Sequence, residues 1–175
     1  DFVFSRAFQL CARFEEKLIN WAAEACVKLT EGEVMQARFR KNPAVTVADY
    51  REIIYRKTAS IFEQGARTAA YLAGAPERTV AAMAQCGIDV GMTFQIVDDL
   101  LDIEGDAGRT GKPVGLDLRE GNPGLPIVLA LPRAAEVARV FALEAPNDDD
   151  VAAAVAAIRG CGVLDEARTM ALEYG

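Results

Sequence analysis

The segment from Glu77 to Ile103 constrains this chain more than any other part of it. Its apolar residues recur at three- and four-residue steps, the period of a helix with a buried face. Near its end, Phe94-Gln95-Ile96-Val97-Asp98-Asp99-Leu100-Leu101-Asp102 sets three carboxylates among side chains that are almost all apolar. On a helix, Asp98 and Asp102 share one face and Asp99 sits about a third of a turn round, beside them. Like charges at that spacing destabilise a helix by roughly 0.2–0.5 kcal/mol per pair. Burying them unpaired costs more. A cation between them resolves the conflict, and hard carboxylate oxygens with this spacing suit Mg²⁺ that also holds phosphate oxygens. The plainer alternative is a solvated acidic patch at a helix end, for which the surrounding Phe, Ile, Val and Leu leave little room. The spacing i, i+1, i+4 excludes an EF-hand loop.

The rest of the chain follows the same period. Leu18, Trp21, Ala22, Ala25 and Leu29 mark an early helix. Arg38 to Thr46 forms a basic loop containing Pro43, and Thr46 or Asp49 can cap a helix that runs to about Ala73. Gly74-Ala75-Pro76 breaks it before the long segment begins. Glu104 to Pro126 loses the periodicity, with six glycines and three prolines. Shorter helices follow at about 125–131, 134–145 and 151–159, and a last one ends near Tyr174. No strand alternation persists, so the expected class is all-α, an antiparallel helix bundle with short connections.

Composition removes several chemistries. The 175 residues contain no histidine, which excludes Ser–His–Asp and Cys–His catalysis and His-based zinc sites. A formal net charge of −7 argues against a nucleic-acid surface, so an anionic substrate has to be met by metal ions and local Lys or Arg. Cys11, Cys26, Cys86 and Cys161 stand singly without a CxxC, which reads as buried free thiols in a reducing cytosol. Neither a signal peptide nor an apolar run of membrane length is evident, so the expected location is cytoplasmic, without membrane insertion.

Other residues fit the same chemistry. Lys57-Thr58, on the helix before the acidic one, can offer a point charge and a hydroxyl to phosphate. The alternative is a snorkelling lysine beside a packing threonine. Gln95 is either a ligand contact or a hydrogen-bonded core amide. The loop Gly105 to Pro113 fails as a P-loop, because its glycines are misplaced, Pro113 occupies the Ser/Thr position and a helix precedes it. Lys112 still lies about ten residues beyond the carboxylates, within reach of what they bind, with Asp117, Arg119 and Glu120 following.

Together these residues resemble the trans-isoprenyl (polyprenyl) diphosphate synthases. The likeness rests on Phe94 to Asp102, on Gly111-Lys112-Pro113-Val114-Gly115-Leu116-Asp117-Leu118-Arg119-Glu120-Gly121, on Leu125-Pro126, and on Lys57-Thr58-Ala59-Ser60. Gly32-Glu33 through Gln36 and the opening Asp1-Phe2-Val3-Phe4-Ser5-Arg6-Ala7 extend it over nearly the whole chain.

The resemblance implies the isoprenoid synthase fold, helices around a central cavity, and a Mg²⁺-dependent condensation of isopentenyl diphosphate with an allylic diphosphate. It implies metal binding by Asp98, Asp99 and Asp102. It also implies diphosphate contacts from Lys57, Thr58, Gln95 and Lys112, with Asp98, Asp99 and Lys57 serving the chemistry and Asp117 behind them. The family often carries a further lysine where this chain has Asn122, a place for which Arg119 could compensate. The family's first aspartate-rich motif and its isopentenyl-diphosphate-binding groups have no counterpart here. The expectation is therefore one helical domain, residues 1–175, forming the C-terminal portion of such an enzyme and inactive alone. The family implies a homodimer, for which Phe2, Phe4, Phe8 and Trp21 offer an apolar stripe that can equally be core. The alternatives are a non-catalytic subunit or helical binding protein of the same fold, and a terpene cyclase relative.

Overall fold

The computed structural model describes residues 2–105 and 113–175, without the side chains of residues 4 and 8. Among these residues there is no strand. α1 (Phe2–Cys11) leads into α2 (Glu16–Phe39), and a loop then reaches α3 (Val47–Ile54). Thr46 caps α3 as anticipated. Its hydroxyl accepts from Asp49 N at 3.1 Å while the Asp49 carboxylate accepts from Thr46 N at 2.9 Å. This closes a capping box that satisfies two orphan donors.

α3 does not run straight on. Residues Tyr55–Ala59 form a wider π turn before α4 (Ser60–Leu72). The cause lies in two glycines. A side chain at Gly32 of α2 would place its Cβ 2.5 Å from Lys57 N, and one at Gly91 would place it 2.5 Å from Ala59 Cα. The turn is gripped between two backbones at distances only glycine permits, so Lys57 and Thr58 sit where α2 and the long helix converge.

That helix, α5 (Glu77–Glu104), lies antiparallel along α4, with Gly87 giving a second close approach to the Phe62 carbonyl. After the residues outside the described set come α6 (Leu116–Glu120), α7 (Leu125–Ala130), α8 (Ala135–Phe141), α9 (Asp148–Gly160) and α10 (Val163–Leu172). The main core gathers Tyr50, Ile54, Ile96, Leu100, Leu125 and Phe141, all nearly inaccessible, around the last third of α5. A smaller cluster of Leu18, Trp21 and Val80 closes the opposite end.

Four expectations change. The helix expected at about 151–159 starts earlier, with Asp148-Asp149-Asp150 as the first turn of α9, because Asn147 is the cap and pairs with Asp150. The four thiols are free, but Cys26 and Cys86 are exposed, while Cys11 and Cys161 are half-buried, Cys161 packing against the edge of the main core. Trp21 belongs to the interior while Phe2 is exposed; the side chains of Phe4 and Phe8 lie outside the described residues. α5 proves long and apolar enough, by length and composition, to cross a membrane. It packs instead against α4, the π turn, α7 and α10, with aspartates in its last two turns.

Candidate functional site

Helix geometry puts the three motif aspartates in three environments. Asp98 is exposed, and no hydrogen bond or ion pair among the described residues engages it. Asp102, half-buried, accepts from the backbone N–H groups of Leu116 at 3.0 Å and Asp117 at 3.2 Å, so it anchors the start of α6. Its own carbonyl accepts from Gly115 N at 2.9 Å, and Gly115 adopts φ +76°, a left-handed turn that favours glycine. Asp98, Asp102 and Asp117 line one cleft of about 310 Å³, floored by Leu101, Val114 and Leu116.

Asp99 turns the other way. It is 5% exposed, the one buried charged side chain among the described residues. Tyr50 Oη donates to Oδ2 at 2.7 Å, Leu125 N at the head of α7 donates to the same oxygen at 2.8 Å, and Gln95 Nε2 donates to Oδ1 at 2.9 Å. Burial pushes its carboxyl up to about 6, against the pull of those donors. A direct metal contact from Asp99 has no oxygen left without a protein donor in this arrangement, although the sequence pattern places it with the ligands.

Gln95 carries the network further. Its amide oxygen accepts from Thr58 Oγ1 at 2.9 Å, so the π turn is bonded through Gln95 to Asp99. Gln95 is thus both the core amide and a neighbour of the acids. Lys57, next to Thr58, donates from Nζ to Gln36 Oε1 at 2.6 Å and pairs with Glu33 at 3.2 Å. Lys112 lies outside the described residues.

Asp117 was noted in the sequence only as a neighbour; the structure makes it part of the cleft. Burial first, then the charges of Asp99 and Asp102, push its carboxyl up to about 7. The chain closes over it tightly. A Cβ on Gly124 would lie 3.1 Å from Asp117 Oδ2 and 3.5 Å from Asp99 Cγ. Asn122 Nδ2 reaches Asp117 Oδ1 at 3.4 Å, and Arg40 Nε donates to Asn122 Oδ1 at 3.1 Å. Among the described residues, the cation that bonds Asn122 is therefore Arg40. Arg119 is committed elsewhere, to Asp148 at 2.5 Å.

The donor set suits a divalent cation of the Mg²⁺ type. No three acidic side chains among the described residues converge tightly enough to hold an ion by themselves. Mg²⁺ does not ask for that: one or two carboxylates with water and phosphate oxygens satisfy it. Burial and then the charges of Asp99 and Asp102 raise the Asp117 carboxyl, so a cation bound in the cleft would favour its ionised form.

Sequence reasoning passed over Tyr50, Gly91 and Gly124. Tyr50 reads as a core aromatic, and its partner lies 49 residues away. The glycines left a signal, since Gly87 and Gly91 stand four apart on a helix otherwise made of larger residues.

Fold and site together define a class, all-α chains whose central helix ends in an aspartate-lined cleft suited to a divalent cation and an anionic ligand. The polyprenyl synthetase family model matches residues 1–158, and the chain belongs to that family. The octaprenyl diphosphate synthase of Haemophilus influenzae is 42% identical over 132 residues, 75% of this chain and 40% of that protein. That of Escherichia coli is 36% identical over 179 residues, 99% of this chain and 55% of that protein. The crystal structure of polyprenyl synthase from Caulobacter crescentus, complexed with calcium and isoprenyl diphosphate, superposes with a TM-score of 0.92 at 33% identity. It is covered to 55% by 99% of this chain. The helical isoprenoid synthase fold is thus shared, and the chain spans about half the length of the curated relatives it matches.

Proposed function

We propose that the protein elongates prenyl chains, condensing isopentenyl diphosphate with an allylic diphosphate to give a longer all-trans polyprenyl diphosphate. One observation carries this reading. A cleft lined by Asp98, Asp102 and Asp117 is joined by the Asp99–Gln95–Thr58 hydrogen bonds to the turn that bears Lys57. The relatives' names agree with it.

In this reading Asp98 and Asp102 would hold Mg²⁺, with Asp117 beside them. When bound, the metal stabilises charge on the departing diphosphate. Lys57, Thr58 and Lys112 meet the diphosphate oxygens, Lys57 exchanging its contacts with Glu33 and Gln36 for the ligand. Asp99 and Gln95 orient these groups. The apolar faces beside the cleft keep water from the allylic cation.

We further assign the exposed apolar residues of α1 and α2, including Phe2, Leu10, Val27 and Val34, to a homodimer contact. The reaction is assigned to the cytoplasm.

The full-length gene product, an allylic primer and radiolabelled isopentenyl diphosphate test the reading. Label should enter longer prenyl products with Mg²⁺ and not with EDTA. Absence of Mg²⁺-dependent extension overturns it.

A further inference from the structure

Asp99 collects donors from three elements that share no local sequence: Tyr50 on α3, Gln95 on α5, and the backbone of Leu125 at the start of α7. A buried carboxylate with this many donors is a mechanical junction as well as a charge. Two routes lead from it to the proposed site. Through Gln95 it reaches Thr58, and along its own helix it fixes the register of Asp98 and Asp102. Tyr50 closes the junction from the third side. Its ring is 1% exposed, and it stands seven residues before Lys57 in the same α3–π segment.

The phenol is a dependable donor. Its Oη lies 2.7 Å from Asp99 Oδ2 in a fully buried contact. Leu125 N shares the same oxygen, so losing the Tyr50 hydroxyl leaves Asp99 seated on α7 and α5 but detached from α3.

We propose that Tyr50 is a positioning residue, whose hydroxyl locks α3 and the π turn to Asp99 and so sets Lys57 and Thr58 against the Asp98–Asp102 cleft. This rests on the prenyl-transfer reading above. It adds a residue that touches no substrate and acts on one substrate only. Lys57, Thr58 and the aspartates all belong to the allylic diphosphate side. Loosening their registration therefore weakens that substrate and leaves isopentenyl diphosphate untouched.

Tyr50→Phe removes one oxygen and keeps the ring. In the full-length gene product, the KM for the allylic diphosphate should rise about tenfold, the size expected for one hydrogen bond to a charged group. The KM for isopentenyl diphosphate should stay unchanged. The rise in melting temperature produced by Mg²⁺ with inorganic diphosphate should shrink in parallel. A merely structural tyrosine gives a different result: a lower melting temperature and a smaller active fraction, with both KM values unchanged or raised alike. Either of those outcomes overturns the assignment.

Should Tyr50→Phe not fold, Gly124→Ala, at φ −68° where alanine is unstrained, sets a methyl 3.1 Å from Asp117 Oδ2 and 3.5 Å from Asp99 Cγ, so it presses on both carboxylates from the α7 side, Asp117 first. The same one-sided rise in KM is expected, and equal KM values again overturn the proposal. Wild-type protein assayed alongside separates the two levels. If it extends no primer, the prenyl-transfer reading fails and takes this one with it; if it extends primer while the variants match it, only the role of Tyr50 fails.

Discussion

Replacing Asp117 with asparagine should make the metal-free protein more stable at pH 8, although it removes a residue of the site. Asp117 is pushed from 3.8 to about 7 by burial and by Asp99 and Asp102. A carboxyl whose folded value is raised holds its proton where the unfolded chain has already lost it. Stability is therefore undiminished below about pH 4, falls as pH climbs through about 7, and stays low above that. The full interval at about 1.36 kcal/mol per pH unit gives a ceiling near 4 kcal/mol. Two effects reduce it. Asp117 faces the cleft and keeps some solvent, and burying the replacement amide costs about 1–2 kcal/mol. The expected gain for Asp117→Asn at pH 8 is thus about 2 kcal/mol, turning at pH 4 into a loss of about 1–2 kcal/mol, where only the amide cost remains. Urea unfolding of the full-length gene product in EDTA, followed by circular dichroism at both pH values, measures it. Added Mg²⁺ with inorganic diphosphate should then stabilise wild type more than the variant. A variant that is less stable at pH 8, or a difference that does not change with pH, would refute the reasoning.

Asp98→Ala, at an exposed position without a partner among the described residues, should alter stability by less than about 0.5 kcal/mol. It should nonetheless cut Mg²⁺-dependent isopentenyl diphosphate incorporation at least about a hundredfold. Gly91→Ala drives a methyl into Ala59 and should cost about 1–3 kcal/mol in thermal unfolding; a loss under about 0.5 would contradict the account of the π turn. Arg159 caps α5 by donating from Nε and Nη2 to Ile103 O at 3.0 and 2.6 Å. Arg159→Ala should lower the urea midpoint by the equivalent of about 1–2 kcal/mol, with Arg159→Lys restoring part of it.

What the sequence could disclose followed from local geometry. The i, i+4 pair Asp98 and Asp102 does share a cleft, because that pairing is set by helix pitch alone. Thr46 was one of two candidate caps for the same reason, and the other, Asp49, instead completes its capping box. The role of Asp99 was not legible. Its turn into the core follows from its place on the helix, but its meaning depends on Tyr50 and Leu125, 49 and 26 residues away. The π turn was equally hidden. Tyr50, Ile53, Ile54, Lys57 and Ile61 keep an acceptable helical period through it, and the cause of the extra residue is contact with Gly32 and Gly91 on other helices. The cysteines misled because an apolar position on a helix was taken as a covered one.

That last point bears on function. α5 carries Val90, Phe94, Val97 and Leu101, each 42–55% exposed, at alternating steps of four and three that form one stripe. Phe62 of α4 widens it, its ring 5.6 Å from Phe94. Leu101 belongs at once to this stripe and to the wall of the acidic cleft. One helix therefore offers carboxylates at its C-terminal end and an apolar track running back from them, at about 1.5 Å per residue. A small anionic substrate would use only the first of these, and a plain hydrocarbon only the second. The substrate class proposed above, an amphiphile with a diphosphate head and a growing isoprenoid tail, would match both, in the order in which the helix presents them.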